Sequence, residues 1–243
     1  MSLRFCVRLC EASLIDPWWQ TRFCTRDLLV TYVDLSEDLE REARALEFLD
    51  ASERARAQRN RSQETRRQFI LCRAALRNKL SEVVGCGNST LHFTSVRNEK
   101  PVALVDGTAI DIEFNVSHTV GHGLLAFANQ GRLGVDIEHR HVRHDVDGEI
   151  RKVFSIREQQ ALKAVDGVDR VELFLRLWTI KEALIKATGE GFRAETADFT
   201  LPEDYILGAK CFHSRFDYKP SVEWRLMSLD TDQYVAALAH EML

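Results

Sequence analysis

The segment that decides the fold is WTIKEALIK, residues 178–186, whose apolar spacing predicts the middle of a long helix. Trp178, Glu182 and Lys186 are four residues apart and therefore share one stripe of that helix. A tryptophan, a glutamate and a lysine on one stripe indicate that this face of the helix has a function. The alternative is an exposed Glu–Lys pair, which contributes only about 0.2–0.5 kcal/mol to helix stability.

A second segment, GVDIEH at residues 134–139, has the alternation of a strand. Asp136 and Glu138 fall on one face of this strand, and Val135 and Ile137 fall on the other. Two carboxylates one strand repeat apart suit Mg²⁺, which proteins commonly bind through one or two carboxylates and substrate phosphates. The alternative is an acidic face in solvent. The triplet DIE also occurs at residues 111–113, so it is a weak signal by itself.

A third segment, FNVSHT at residues 114–119, places Ser117 beside His118. Neighbouring strand residues point to opposite faces, so the two do not form a nucleophile and its base, and no GxSxG motif accompanies them. As hydrogen-bond donors at a strand end they suit a phosphate, and the alternative for His118 is a structural role. His139, His141 and His144 lack the ligand spacing of a zinc site.

Composition narrows the class of protein. The chain has 243 residues, 45% of them hydrophobic and 29% charged, with a net charge of −4, as expected for a globular protein. No apolar run reaches the roughly 20 residues of a membrane helix, and the first residues lack the apolar core of a signal peptide. The six cysteines form no CxxC motif. We therefore expect a cytoplasmic protein with reduced thiols and no membrane partner.

The net charge conceals a basic segment. Residues 41–79 contain eleven Lys or Arg and five Asp or Glu, a local charge of +6 within an acidic chain. Such a segment favours an anionic ligand, either a nucleic acid or a phosphorylated cofactor. The alternative is a solvated helix face.

The chain reads as a compact α+β protein of two closely packed halves. We predict helices over 37–59, 66–80, 155–165 and 169–187, the third opened by a capping box of Ser155 and Glu158. We predict strands over 28–35 and 91–96, in 112–138 with a hairpin turn at 129–131, and over 197–201, 205–212, 223–229 and 234–240.

Four segments together resemble the 4′-phosphopantetheinyl transferases, namely NEKP at 98–101, FNVSHT at 114–119, GVDIEH at 134–139 and LWTIKEALIKATGEGF at 177–192. Their order and spacing are similar to the large single-chain class that activates surfactin-type synthetases, over residues 50–240. The resemblance implies a pseudo-dimer of two similar α/β halves with the active site in the cleft between them. It implies that residues 1–120 form the nucleotide side, that residues 121–243 hold Mg²⁺ and the catalytic helix, and that the enzyme is a monomer.

The resemblance also implies a reaction of the holo-[acyl-carrier-protein] synthase type. Phosphopantetheine passes from coenzyme A to a serine of an apo acyl or peptidyl carrier protein, in fatty acid, polyketide or nonribosomal peptide biosynthesis, and adenosine 3′,5′-bisphosphate leaves. Carried over by position, the Mg²⁺ ligands, for which Mn²⁺ is an alternative metal, are Asp136, Glu138 and Glu182. Lys186 contacts the phosphate under attack, and Glu182 is the candidate base. The residues implied at the 3′-phosphate end are Lys100, Ser117 and His118, with Arg56 at the nucleotide in competition with Arg54 and Arg59.

Two other classes of function compete with this interpretation. A Mg²⁺-dependent nuclease also combines acidic residues, a lysine and a basic face, although no nucleic-acid motif is present and aromatic residues do not interleave with the basic segment. The other is a non-catalytic coenzyme A-binding protein. We expect carrier specificity to reside in a surface patch around Val153, Phe154 and Leu162.

Overall fold

The computed structural model describes residues 17–94, 100–141, 146–191 and 196–243. The chain divides into two compact units, residues 1–130 and residues 131–243. The strands and helices of the first unit are β1 (Trp19–Cys24), β2 (Leu28–Asp34), α1 (Leu39–Phe48), α2 (Ala51–Arg59), α3 (Gln63–Val84), β3 (Leu91–Phe93), β4 (Ala103–Val105), β5 (Thr108–Ala109), β6 (Glu113–Thr119) and β7 (His122–Ala128). Those of the second are β8 (Leu133–His139), α4 (Val146–Val153), α5 (Ile156–Lys163), α6 (Gly167–Thr188), α7 (Glu203–Ile206), β9 (Cys211–Ser214), β10 (Glu223–Ser228) and β11 (Tyr234–Met242).

The first unit is built on an antiparallel sheet with the strand order β1-β2-β7-β6. Apolar side chains of β2 and β7, such as Leu29 and Phe127, pack in one core with Leu71 and Leu76 of α3. A smaller sheet, β3-β4-β5, follows the end of α3. Burial of these side chains supplies the main stabilisation, at roughly 25 cal/mol per Å² of apolar surface removed from water.

The second unit has a sheet with the order β8-β11-β10-β9, also antiparallel. The long helix α6 packs on β8 and β11. Its residues Leu177 and Leu184 share a core with Trp224 of β10 and Val235 of β11. Among the described residues, no helix has the length and apolarity needed to cross a membrane.

The two units share one layout. In the first unit, helices follow β2, and the second strand of the later hairpin β6–β7 pairs with β2. In the second unit, helices follow β8, and the second strand of the later hairpin β10–β11 pairs with β8. Helices α3 and α6 both have 22 residues, and both end at a glycine in the left-handed conformation, Gly85 and Gly189. This layout confirms the predicted α+β fold of similar halves.

Several predicted elements are confirmed, since β2, α3, α6, β10 and β11 lie within the predicted ranges or extend them. Ser155 and Glu158 form the predicted capping box of α5. The predicted helix over 37–59 is wrong, because it breaks into α1 and α2 where Asp50 caps α2 in a second capping box, with Glu53. Residues 197–201 form a 3₁₀ turn and a loop instead of a strand, and α7 replaces the first half of the strand predicted over 205–212.

The predicted hairpin at residues 129–131 is also wrong. Strands β7 and β8 flank this turn, yet β7 pairs with β2 and β6 whereas β8 pairs with β11. The boundary between the two units falls here, after Gln130. Gly131 has a φ of 76°, so the predicted turn is present, but it connects strands of two different sheets.

Gly134 allows α6 to lie directly against β8. A Cβ atom at this position would overlap the carbonyl oxygen of Ala183 and lie 2.6 Å from the backbone nitrogen of Ala187. Both atoms belong to the backbone of α6, so they have no rotamer through which to give way. Only glycine lets the helix and the strand approach this closely.

We therefore predict that Gly134→Ala lowers the free energy of unfolding by about 1–3 kcal/mol, the usual cost of overpacking. The measurement is chemical denaturation followed by circular dichroism. Gly87→Ala is the matched control, because a Cβ there has no neighbour nearer than 3.8 Å and the backbone φ of −72° suits alanine. Equal stability of the Gly134→Ala variant and the wild type would show that the close contact is not a constraint.

Candidate active site

The stripe of α6 and the acidic face of β8 meet in the second unit. The Nζ atom of Lys186 lies 2.6 Å from Oδ1 of Asp136, to which it donates a hydrogen bond. The side chain of Trp178 hydrogen-bonds Glu138 through its only donor, the indole N–H. Gly134 lies on the same strand face as these two carboxylates, so its contact with α6 sets the distance between the groups.

The acidic face of β8 is not a solvent face. Asp136 is only 5% exposed, and Glu138 and Glu182 are half-buried. A buried carboxylate needs a counter-charge, because the protein interior solvates an isolated ion poorly. Lys186, with a side chain that is 30% exposed, supplies one positive charge for three carboxylates.

Crowded negative charge changes the acidity of two of these carboxylates. Burial, followed by the charge of Asp136, raises the pKa of Glu138 to about 7, although Lys186 and Trp178 partly oppose the rise. Burial and the charge of Asp136 also raise the pKa of Glu182, and Lys186 again opposes it. A proton or a cation is therefore favoured among these side chains.

The described residues contain no ready-made cluster of three His, Cys, Asp or Glu side chains placed to hold a metal ion. His139 and His141 have ring centroids 5.4 Å apart, and His144 lies outside the described residues. Asp136, Glu138 and Glu182 are coupled electrostatically and do not form a closed ligand set by themselves.

Lys181, the neighbour of Glu182, has a structural partner that the sequence did not reveal. Its Nζ atom lies 2.8 Å from Glu158 of α5, and both side chains are fully buried. It also donates to the carbonyl oxygens of Thr196 and Phe199, at 2.6 and 2.9 Å. This buried pair fixes α6 against α5 and the segment that follows α6, and so holds Glu182 and Lys186 in place.

The surface patch predicted around Val153, Phe154 and Leu162 is wrong. Phe154 and Leu162 are fully buried in the core of the second unit, and Val153 packs against that core. The apolar side chain that the structure does expose in this region is Ile156, at 74%. The periodicity of α5 did not distinguish these two faces because the helix has only eight residues.

A second group of candidate residues lines a cavity of about 240 Å³ in the first unit. Three of the residues named from the sequence contribute to it: Arg56, Lys100 and His118. Ser117 is buried and does not line the cavity. Of the three competing arginines, Arg56 lines the cavity, whereas Arg54 donates its Nε to the carbonyl oxygen of Leu49.

The cavity is rich in cationic side chains. The guanidinium of Arg56 lies 4.9 Å from the ring centroid of Phe69, and Lys100 forms an ion pair with Glu113 at 2.5 Å. The segment NEKP is described only from Lys100 onward, since Asn98 and Glu99 lie outside the described residues.

Sequence reasoning missed other residues of this cavity, notably Arg73, Phe69 and Asn115. The signal for the first two was present in α3. Phe69, Cys72, Arg73 and Leu76 follow the i, i+3, i+4, i+7 spacing of one helix stripe, so Arg73 is an arginine on an otherwise apolar stripe. The net charge of residues 41–79 does not show which of their cations lies on an apolar stripe.

Comparisons with known proteins agree with the geometry. The family described as the 4′-phosphopantetheinyl transferase superfamily matches residues 132–239. A Synechocystis sp. protein, provisionally named a 4′-phosphopantetheinyl transferase, is 30% identical over 185 residues, which cover 74% of this chain and 72% of the relative. The 4′-phosphopantetheinyl transferase HetI of Nostoc sp. is 31% identical over 59% of this chain and 60% of its own length. The 4′-phosphopantetheinyl transferase Sfp of Bacillus subtilis is 28% identical over 70% of this chain and 73% of its own length.

Proposed function

The chain belongs to the 4′-phosphopantetheinyl transferase superfamily, and from this premise we propose that it transfers 4′-phosphopantetheine from coenzyme A to a serine of an apo carrier protein. The observation that carries the proposal is the contact between Lys186 and Asp136, with Glu182 on the same helix stripe. The proposed products are the holo-carrier and adenosine 3′,5′-bisphosphate. Acyl and peptidyl carriers are the proposed partners of a cytoplasmic, monomeric enzyme, since one chain carries both groups of candidate residues.

The carboxylates suit a hard divalent cation. Oxygen donors from Asp136, Glu138 and Glu182 are the type that Mg²⁺ or Mn²⁺ prefers. Burial and the charge of Asp136 raise the pKa values of Glu138 and Glu182, so a bound cation would be favoured there. Mg²⁺ commonly retains several waters and binds substrate phosphates. Carboxylates that leave part of its coordination shell to these ligands therefore suit this metal. When bound, the metal would neutralise charge on the diphosphate of coenzyme A.

The protein's own residues supply the remaining chemistry. The serine oxygen forms a bond to the phosphorus that bears pantetheine, and the bond to the adenosine-bearing phosphate breaks. Lys186, which Asp136 holds in place, stabilises the negative charge on the phosphate under attack. Glu182, on the same helix stripe as Lys186, accepts the serine proton as the general base.

We propose that the cavity of the first unit receives the nucleotide end of coenzyme A. Arg56, Lys100 and His118 line it and are suited to a phosphate. The assignment of Ser117 to the same phosphate stays a prediction, because Ser117 does not line the cavity.

The ion pairs formed by arginines of the basic segment, residues 41–79, argue against a nuclease. Arg41 pairs with Asp34, and Arg67 lies within 4 Å of Glu37 and Glu42. Arg77 is buried with Glu53. A surface that binds nucleic acid needs many unpaired cations along it, because each neutralised phosphate contributes separately. Arg41, Arg67 and Arg77 are instead engaged in ion pairs, which leaves fewer cations for a nucleic-acid backbone.

The proposed transfer is tested by mass spectrometry of apo carrier proteins incubated with the full chain, coenzyme A and Mg²⁺. We expect a mass gain of one phosphopantetheine group on the carrier serine. Excess EDTA abolishes the gain, and added Mg²⁺ restores it. A panel of acyl and peptidyl carriers identifies the preferred partner. Binding of coenzyme A with no mass gain on any carrier would favour the non-catalytic alternative, and cleavage of DNA by the same preparation would favour the nuclease.

Glu182→Gln tests the proposed base. The amide keeps the shape of the side chain but cannot accept the serine proton, so we expect at least a 100-fold loss of kcat, in line with general-base catalysis. Coenzyme A binding, measured by calorimetry, is expected to be largely retained. Asp169→Asn is the control, because Asp169 is exposed in the first turn of the same helix. Full turnover by Glu182→Gln would refute the role of Glu182.

A further inference from the structure

Each unit contains a buried ion pair that joins its long helix to the capping box of a shorter helix. In the second unit, Nζ of Lys181 lies 2.8 Å from Glu158 of α5. In the first unit, Nη1 of Arg77 in α3 lies 3.0 Å from Glu53 of α2. Both carboxylates belong to the third residue of their helix and complete its capping box, and none of the four side chains is more than 8% exposed. The two units therefore repeat one charged contact.

The two cations occupy matching positions. Arg77 and Lys181 each lie eight residues before the glycine that ends their helix. Each donates two further hydrogen bonds to carbonyl oxygens of the segment that follows the helix, at 2.6 and 2.9 Å in both units. Each also lies beside a phenylalanine ring of that segment, Phe93 or Phe199. An arginine and a lysine thus serve the same contact, which requires a buried cation with several donors.

The contact adjoins the candidate metal ligands in the second unit. Glu182 directly follows Lys181, and Lys186 lies five residues after Lys181 on α6. The residues of α3 at the corresponding positions are Asn78 and Glu82, and Glu82 pairs within its own helix. The same contact therefore holds candidate catalytic groups at these two positions in the second unit, and an amide and a paired carboxylate in the first.

The ion pair and β8 hold α6 from opposite sides. The backbone of Ala183 lies against Gly134 of β8. Side chains two residues apart point about 200° from each other around a helix, so Lys181 points away from β8. Gly134 sets how near the helix lies to the strand, and the ion pair sets its rotation. Without the pair, a small rotation of α6 would change the distance between Glu182 and Asp136.

We propose that Glu158 is a positioning residue for the proposed transfer, acting through Lys181. It sets the rotation of α6, and with it the affinity for a divalent cation of the three carboxylates Asp136, Glu138 and Glu182. The matching pair of the first unit holds α3 and has no part in metal binding. The inference rests on the proposed function, because it takes these carboxylates as metal ligands. Glu158 lies outside the four segments that carry the family resemblance.

Titration of the full chain with Mn²⁺ alone tests the proposal, with electron paramagnetic resonance to measure the free ion. The proteins are the wild type, Lys181→Met, Lys181→Arg and Arg77→Met. Methionine is a long unbranched side chain that lacks the charge and the donors. Arg77→Met is the matched control, because it breaks the equivalent ion pair of the first unit. Denaturant unfolding confirms that each variant is folded under the conditions of the titration.

Both methionine variants are expected to lose stability, because each leaves a buried carboxylate without its counter-charge. Lys181→Met weakens Mn²⁺ binding by about 10- to 100-fold, as for the loss of a group that orients metal ligands. Arg77→Met binds Mn²⁺ as tightly as the wild type does. Lys181→Arg keeps most of the affinity, because Arg77 makes the same contact in the first unit. If Lys181→Met does not fold, Glu158→Asp decides in its place, with Glu53→Asp as its match, because the shorter carboxylate withdraws from the cation.

Wild-type affinity in Lys181→Met, an equal loss in Arg77→Met, or no recovery in Lys181→Arg overturns the proposal. An absence of Mn²⁺ binding to the wild type overturns it too, whatever the transfer assay shows. The titration contains neither coenzyme A nor a carrier protein. A loss of Mn²⁺ binding confined to the second-unit pair, in a protein that never modifies a carrier, would therefore refute the proposed function alone.

Discussion

The close contact between β8 and α6 is the constraint on which the candidate catalytic residues depend. Gly134 has no side chain to separate the strand from the helix, and α6 occupies the space that a Cβ atom would need. That contact brings Lys186 within hydrogen-bond distance of Asp136 and brings Trp178 to Glu138. A larger residue at position 134 would move the helix and with it every group of the stripe. The glycine of the GVDIEH segment is thus as much part of the site as its carboxylates.

The second unit can hold three carboxylates close together because a separate ion pair fixes the position of α6. Three carboxylates share one lysine in the candidate site, and two of them have raised pKa values. Lys181 and Glu158, by contrast, form a fully buried pair whose remaining donors and acceptors are met by backbone groups. Neighbouring residues of one motif, Lys181 and Glu182, therefore have separate tasks. The first fixes the helix, and the second is left available for chemistry.

Local sequence signals predicted much of this structure. Helical spacing found the stripe of α6, strand alternation found the face of Asp136 and Glu138, and the capping box of α5 is present. The failures share a physical cause, because they depend on which distant element lies opposite. The turn at 129–131 separates two sheets instead of joining two strands, and Phe154 faces the core instead of solvent. Arg73 was hidden because charge counting does not tell a buried cation from a solvated one.

A crystal structure of the full chain with coenzyme A and Mn²⁺ in place of Mg²⁺ tests most directly whether these carboxylates and Lys186 meet the metal and the diphosphate. We predict an anomalous peak bound by carboxylate oxygens of Asp136, Glu138 and Glu182, with the diphosphate of coenzyme A on the metal and Lys186 against a phosphate oxygen. A metal bound elsewhere, or a diphosphate remote from Lys186 and these carboxylates, would contradict it.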